Sequence, residues 1–173
     1  MAEIINVCKE YFPKVRLIGK RYTGADGADG GFGHKWGEWF QNNWFAPLES
    51  LDQVPDMENG YIGFMRGCPD FEYWIGMFVL PETPAPDGYD YVDLGECSVG
   101  VCWIKGNDDD GSIYKMHEKC FEALKENGIV KHPSDCATCV PKDCFSFERY
   151  NCPRFTEKDA QGHVILDYGI RLP

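Results

Sequence analysis

Basic residues are scarce in this chain. Seventeen Lys and Arg stand against 28 Asp and Glu, for a net charge of −11 over 173 residues. No Lys/Arg cluster interrupts that imbalance, so there is no face suited to gripping phosphates and direct nucleic-acid binding is not expected. Long apolar runs are also lacking. None approaches the roughly 20 residues of a membrane-crossing helix. Charges recur throughout residues 1–20, so neither a membrane span nor a secretory leader is expected, and the expected location is cytoplasmic.

Several motifs of familiar chemistry are missing as well. No Gly-x-Ser-x-Gly elbow is present for a serine nucleophile. The run GADGADGGFG at 24–33 lacks the Gly-Lys-Ser/Thr ending of a phosphate loop, and its glycines do not fit a dinucleotide fingerprint. It reads as a flexible loop. The acidic turn Asn107–Gly111 lacks full calcium-loop spacing and reads as a helix-capping loop. Four histidines (His34, His117, His132, His163) are scattered, and His117 reads as a helix-surface residue. No cofactor is expected.

Aromatic residues and cysteines, by contrast, are plentiful. The 11 Phe, 9 Tyr and 5 Trp exceed what a core of this size needs, and the surplus suits a pocket with flat walls. The nine cysteines are an odd number in a chain that reads as cytosolic, where reduced thiols are the default. Cys136, Cys139, Cys144 and Cys152 are spaced closely enough for one tetrahedral zinc. Only one Cys-x2-Cys pair is present, however, and loop thiols are the plainer reading.

A sequence echo carries most of the information about the fold. Residues 61–71 read YIGFMRGCPDF and residues 145–155 read FSFERYNCPRF. Each run is followed by an apolar stretch that ends in Leu-Pro, at Leu80-Pro81 and Leu172-Pro173. In this alignment Phe64 corresponds to Glu148.

Around the echo, strands are expected at 15–22, 60–66, 71–80, 89–92, 97–104, 144–150 and 164–172. A short helix is expected over residues 1–11, with Ile4, Ile5 and Cys8 on one side. A Trp-rich helix carries Trp36, Trp39, Phe40 and Trp44 and stops near Pro47. A second helix runs from Ile113 to Leu124 and ends at Asn127-Gly128. The expected class is α+β: two strand–helix–strand–strand repeats, about 12–80 and 88–173, joined about a pseudo-twofold axis. The repeats form one domain of antiparallel sheet with packed helices and a central groove.

These elements resemble the GyrI-like (gyrase-inhibitor-like) effector-binding domain, which is also the drug-binding half of some MerR- and AraC-type transcription activators. The matching segments are Tyr61-Ile-Gly63, Tyr73-Trp-Ile-Gly-Met77, Gly88-Tyr-Asp-Tyr91, a helix near Tyr114, and Phe147-Glu148-Arg149-Tyr150 before a closing strand. The resemblance implies a groove for small, often cationic and lipophilic molecules, with Glu148 inside it.

Strand alternation places Glu148 and Tyr150 on one face, opposite Phe145, Phe147 and Arg149. Trp103, Tyr61, Tyr73, Tyr114 and Tyr168 are the candidate walls. The expected function is a binding protein that sequesters or senses aromatic cations. Two alternatives accompany it. One is a hydrolase using Glu148 as general base with Tyr150 or Tyr114. The other is an inhibitor that binds a protein partner through its acidic surface, as the family's namesake suggests.

Overall fold

The computed structural model describes residues 1–55, 57, 60–67, 70–130 and 144–172. The chain runs β1 (Glu3–Phe12), β2 (Val15–Thr23), α1 (Gly33–Gln41), α2 (Ala46–Glu49), β3 (Gly60–Gly67) and β4 (Phe71–Val79). It continues through β5 (Asp90–Leu94), β6 (Cys97–Gly106), α3 (His117–Glu126), β7 (Phe145–Asn151) and β8 (Val164–Arg171). Eight strands form a single antiparallel sheet in the order β1-β6-β8-β7-β3-β4-β2-β5. The protein is thus an α+β fold.

Exchanging each strand of the first half with its counterpart in the second (β1 with β5, β2 with β6, β3 with β7, β4 with β8) reverses the strand order and leaves it unchanged. Each half is strand–strand–helix–strand–strand, one strand longer than the sequence pattern suggested. The outermost strand of each half also lies on the other half's side of the sheet. β1 pairs with β6, and β5 pairs with β2.

β1 replaces the helix expected over residues 1–11. Ile4, Ile5 and Cys8 fit a helical stripe. Beyond an irregularity at Ile4–Asn6, however, Cys8, Glu10 and Phe12 turn inward while Lys9 and Tyr11 face solvent. That period-two pattern belongs to an edge strand, and the ladder to β6 satisfies the backbone.

The Trp-rich helix is also shorter than expected. α1 ends at Gln41, Trp44 lies in the following turn, and Pro47 opens α2 instead of stopping α1. A proline is tolerated in a helix's first turn, where its missing N–H would have no partner in any case.

The sheet curls strongly. The Phe12 ring on edge strand β1 sits 5.4 Å from the Phe78 ring on β4 and 5.5 Å from the Phe145 ring on β7. In a flat sheet β1 and β4 would stand about 24 Å apart, at some 4.8 Å per strand. The inner face therefore closes on itself around Phe12, Phe64, Phe78, Phe145 and Phe147.

Both helical layers lie on the outer face. Trp39 of α1 and Leu48 of α2 cover β2 and β4. Cys120 and Leu124 of α3 cover β6 and β8. The central strands β3 and β7 run between these two covers.

Candidate functional site

The gap between the helical layers is a cavity of about 1060 Å³. Its floor is the outer face of the central ladder: Tyr61 and Met65 from β3, Glu148 and Tyr150 from β7. Trp36 and Phe40 of α1, with Tyr73 and Met77 of β4, form one wall. Tyr114, His117 and Phe155 form the other. Gly30, Gly31 and Phe32, from the glycine-rich run that read as a plain loop, belong to the rim.

Register explains why the floor has room. Gly63 lies directly opposite Glu148 in the β3–β7 ladder. A Cβ at Gly63 would stand 2.6 Å from the Tyr73 hydroxyl, 3.2 Å from Glu148 Oε2 and 3.3 Å from Trp36 Cζ2. The missing side chain is the space into which those three groups converge. Tyr73 is held there by the Trp36 indole, which donates to its hydroxyl at 2.9 Å, and by stacking on Phe32 with centroids 4.2 Å apart.

Glu148 is 6% exposed. Tyr150 donates its hydroxyl to Oε2 at 2.9 Å, and His117 Nε2 lies 2.8 Å from Oε1. His117, the first residue of α3, stacks flat on Tyr168 at 4.1 Å. Among the described residues that line the cavity there is no Lys or Arg, while Glu49, Asp108 and Glu148 are all present. The cavity is therefore electronegative and aromatic.

The surrounding phenols carry the imprint of that environment. Burial, and then the nearby charge of Glu148, hold the Tyr73, Tyr114 and Tyr150 hydroxyls well above the ordinary tyrosine range. Tyr61, which donates to Glu49, is pushed up to about 12, first by burial and then by that hydrogen bond. All four remain neutral donors at physiological pH.

Of the residues singled out from sequence, the cavity gathers Glu148, Tyr150, Tyr61, Tyr73 and Tyr114. Tyr168 backs the site through its stack on His117. Trp103 does not belong to it. It pairs with Asp167, one residue out of phase with Tyr168, the partner of Glu148. Alternation therefore sends Trp103 to the inner face, where Arg154 lies over its ring at 4.2 Å.

The alignment of Phe64 with Glu148 fails for the same reason. Phe64 is fully buried on the inner face beside Phe145, and the residue facing Glu148 is Gly63. His117, which read as a helix-surface residue, lines the cavity, and Trp36 of the Trp-rich helix forms part of a wall while packing against the outer core. Neither position carried a signal beyond helical spacing. Cys136 and Cys139 lie outside the described residues. Cys144 is half-buried, Cys152 is exposed, and no metal-holding cluster occurs among the described residues.

No protein-family model matches the chain. No curated protein sequence matches it either. Solved structures do. A Staphylococcus aureus MU50 protein proposed to act in bacterial transcription regulation superposes with a TM-score of 0.65 at 16% identity, over 97% of this chain and 98% of that one. SAV2435, solved bound to tetraphenylphosphonium, gives a TM-score of 0.68 at 16% identity, over 98% of this chain and 94% of that one. EcmrR, solved in a complex with DNA, gives 0.55 at 10% identity, over 95% of this chain but 56% of that one. At these identities the shared property is the fold.

Proposed function

We propose that this chain is a small-molecule-binding protein of the GyrI-like effector-binding type, and that its ligands are lipophilic aromatic cations. Glu148 carries the reading. Its carboxylate lies nearly buried in the floor of a roomy aromatic cavity whose described lining has no Lys or Arg. Such a group is costly to desolvate unless positive charge completes it. A cation entering the cavity would meet the carboxylate and several ring faces at once, adding cation–π attraction to ion pairing. Tetraphenylphosphonium, the ligand of SAV2435, is a lipophilic cation and so the first probe to try.

Both oxygens of Glu148 are already held, one by His117 and one by Tyr150. That arrangement favours a fixed charge that reads a ligand over a base that activates water. A role in sequestering or sensing such compounds belongs to the same proposal.

The test is a tetraphenylphosphonium titration followed by tryptophan fluorescence, with Trp36 as the reporter in the wall. Wild type should bind, and Glu148→Gln should bind about 30-fold more weakly or worse, since removing one partner of a buried charge pair costs about 2–5 kcal/mol. Equal affinity in both proteins would falsify the charge-reading role of Glu148. Recovery of intact probe after long incubation separates binding from turnover.

A further inference from the structure

Besides Glu148, the cavity lining holds another acid beside the Tyr61 end of the floor. Glu49, at the end of α2, is exposed at the mouth, and the Tyr61 hydroxyl donates to it. Among the described residues no Lys, Arg or His pairs with Glu49. Tyr61 is pinned by stacking on Phe45, with centroids 3.6 Å apart and planes 9° apart. Beside it, 5.9 Å away, the Phe40 ring is 59% exposed. A large exposed aromatic next to a carboxylate that has no cationic partner among the described residues is the composition of a cation subsite.

The two acids are separated. Gly63, opposite Glu148, and Tyr61 are two residues apart on β3, an offset of about 7 Å along the strand. The Tyr61 side chain then leads further out to Glu49. At about 1060 Å³ the volume is at the upper end for small-molecule sites, ~300–1000 Å³, and more than one compact cation needs.

We infer that the preferred ligand is elongated and carries two cationic centres, one against Glu148 in the floor and one against Glu49, Tyr61 and Phe40 at the mouth. This rests on the cation-binding role proposed for Glu148 and extends it to a ligand class.

Calorimetric titration with a matched pair of probes tests it: decyltrimethylammonium, with one charge, and decamethonium, with the same chain and a charge at each end. Wild type should bind decamethonium roughly five- to tenfold tighter at low ionic strength, from one exposed ion pair plus one cation–π contact. Added salt should shrink that preference. Glu49→Gln should abolish it, weakening decamethonium far more than decyltrimethylammonium. Glu49 is exposed and glutamine still accepts from Tyr61, so this variant keeps the fold. Glu148→Gln should weaken both probes.

Equal wild-type affinities for the two probes overturn the two-centre ligand but leave the role of Glu148 standing. A preference that survives Glu49→Gln overturns the mouth subsite. If neither probe nor tetraphenylphosphonium binds wild type, the cation reading itself fails, and this inference fails with it.

Discussion

Adding one methyl group at Gly63 is the sharpest single perturbation of the site. The backbone there is ordinary strand, so alanine should gain about 0.5–1 kcal/mol over glycine from chain entropy alone. Against that, the new Cβ would stand 2.6 Å from the Tyr73 hydroxyl. Tyr73 cannot easily yield. It is 6% exposed, stacked on Phe32 and hydrogen-bonded by Trp36. Overpacking of this kind costs about 1–3 kcal/mol, and an orphaned indole N–H adds about 1 kcal/mol or more.

The clash wins. Gly63→Ala should be destabilised by about 2–3 kcal/mol, a fall in Tm of roughly 5–10 °C for a chain of this length. Displacing Tyr73 and Glu148 together should also weaken tetraphenylphosphonium binding. Gly95→Ala is the control, because a Cβ there meets nothing within 4 Å, and its Tm should not fall. Thermal unfolding by circular dichroism and the fluorescence titration read both effects. A Gly63→Ala protein as stable as wild type, with wild-type affinity, would refute the packing around Glu148 described above.

Two further outcomes follow from charge and burial. Arg149, 1% exposed, pairs with Asp167, which is fully buried, and with Glu10 on β1. Arg149→Met leaves Asp167 to Arg154 alone and should cost about 3 kcal/mol, read as a lower urea midpoint; an unchanged midpoint would show the network to be dispensable. The cavity phenols should resist ionisation. Their folded pKa values lie above the free value of about 10, so their contribution to stability is full below pH 10 and is lost as pH rises, for Tyr61 through about 12. Tyrosinate absorbance should therefore show all nine tyrosines titrating together near pH 10 in urea. In the folded state the cavity tyrosines should lag, and a single transition near 10 in both states would contradict their burial.

Much of the fold was legible because period-two alternation survives in the strands. Phe145 through Tyr150 sorted themselves onto two faces from sequence alone, and that sorting put Glu148 with Tyr150. What alternation cannot supply is the phase between strands. Trp103 and Tyr168 each alternate cleanly, yet only the β6–β8 register shows that they face opposite ways. The Phe64 alignment slipped by one residue, which in a strand exchanges faces entirely. His117 was illegible for a different reason. Its role comes from α3 crossing over β8 and meeting a strand 31 residues later, a contact with no local signature. The short apolar run of residues 4–8 is equally compatible with helix and edge strand, and only the partner β6 decides between them.

The central ladder has one more consequence. Its seven β3–β7 pairs run from Gly60–Asn151 to Arg66–Phe145, and the middle pair is Gly63–Glu148. Were the two halves separate and identical, the outer strands could still be exchanged between two copies, and the same groove would form on their symmetry axis. The residue at its centre would then have to face its own twin. Two glutamates there would repel one another across the ladder, and two glycines would leave the floor without charge. Joining the halves in one chain lifts that requirement: one centre position carries the carboxylate and the other supplies the room for it.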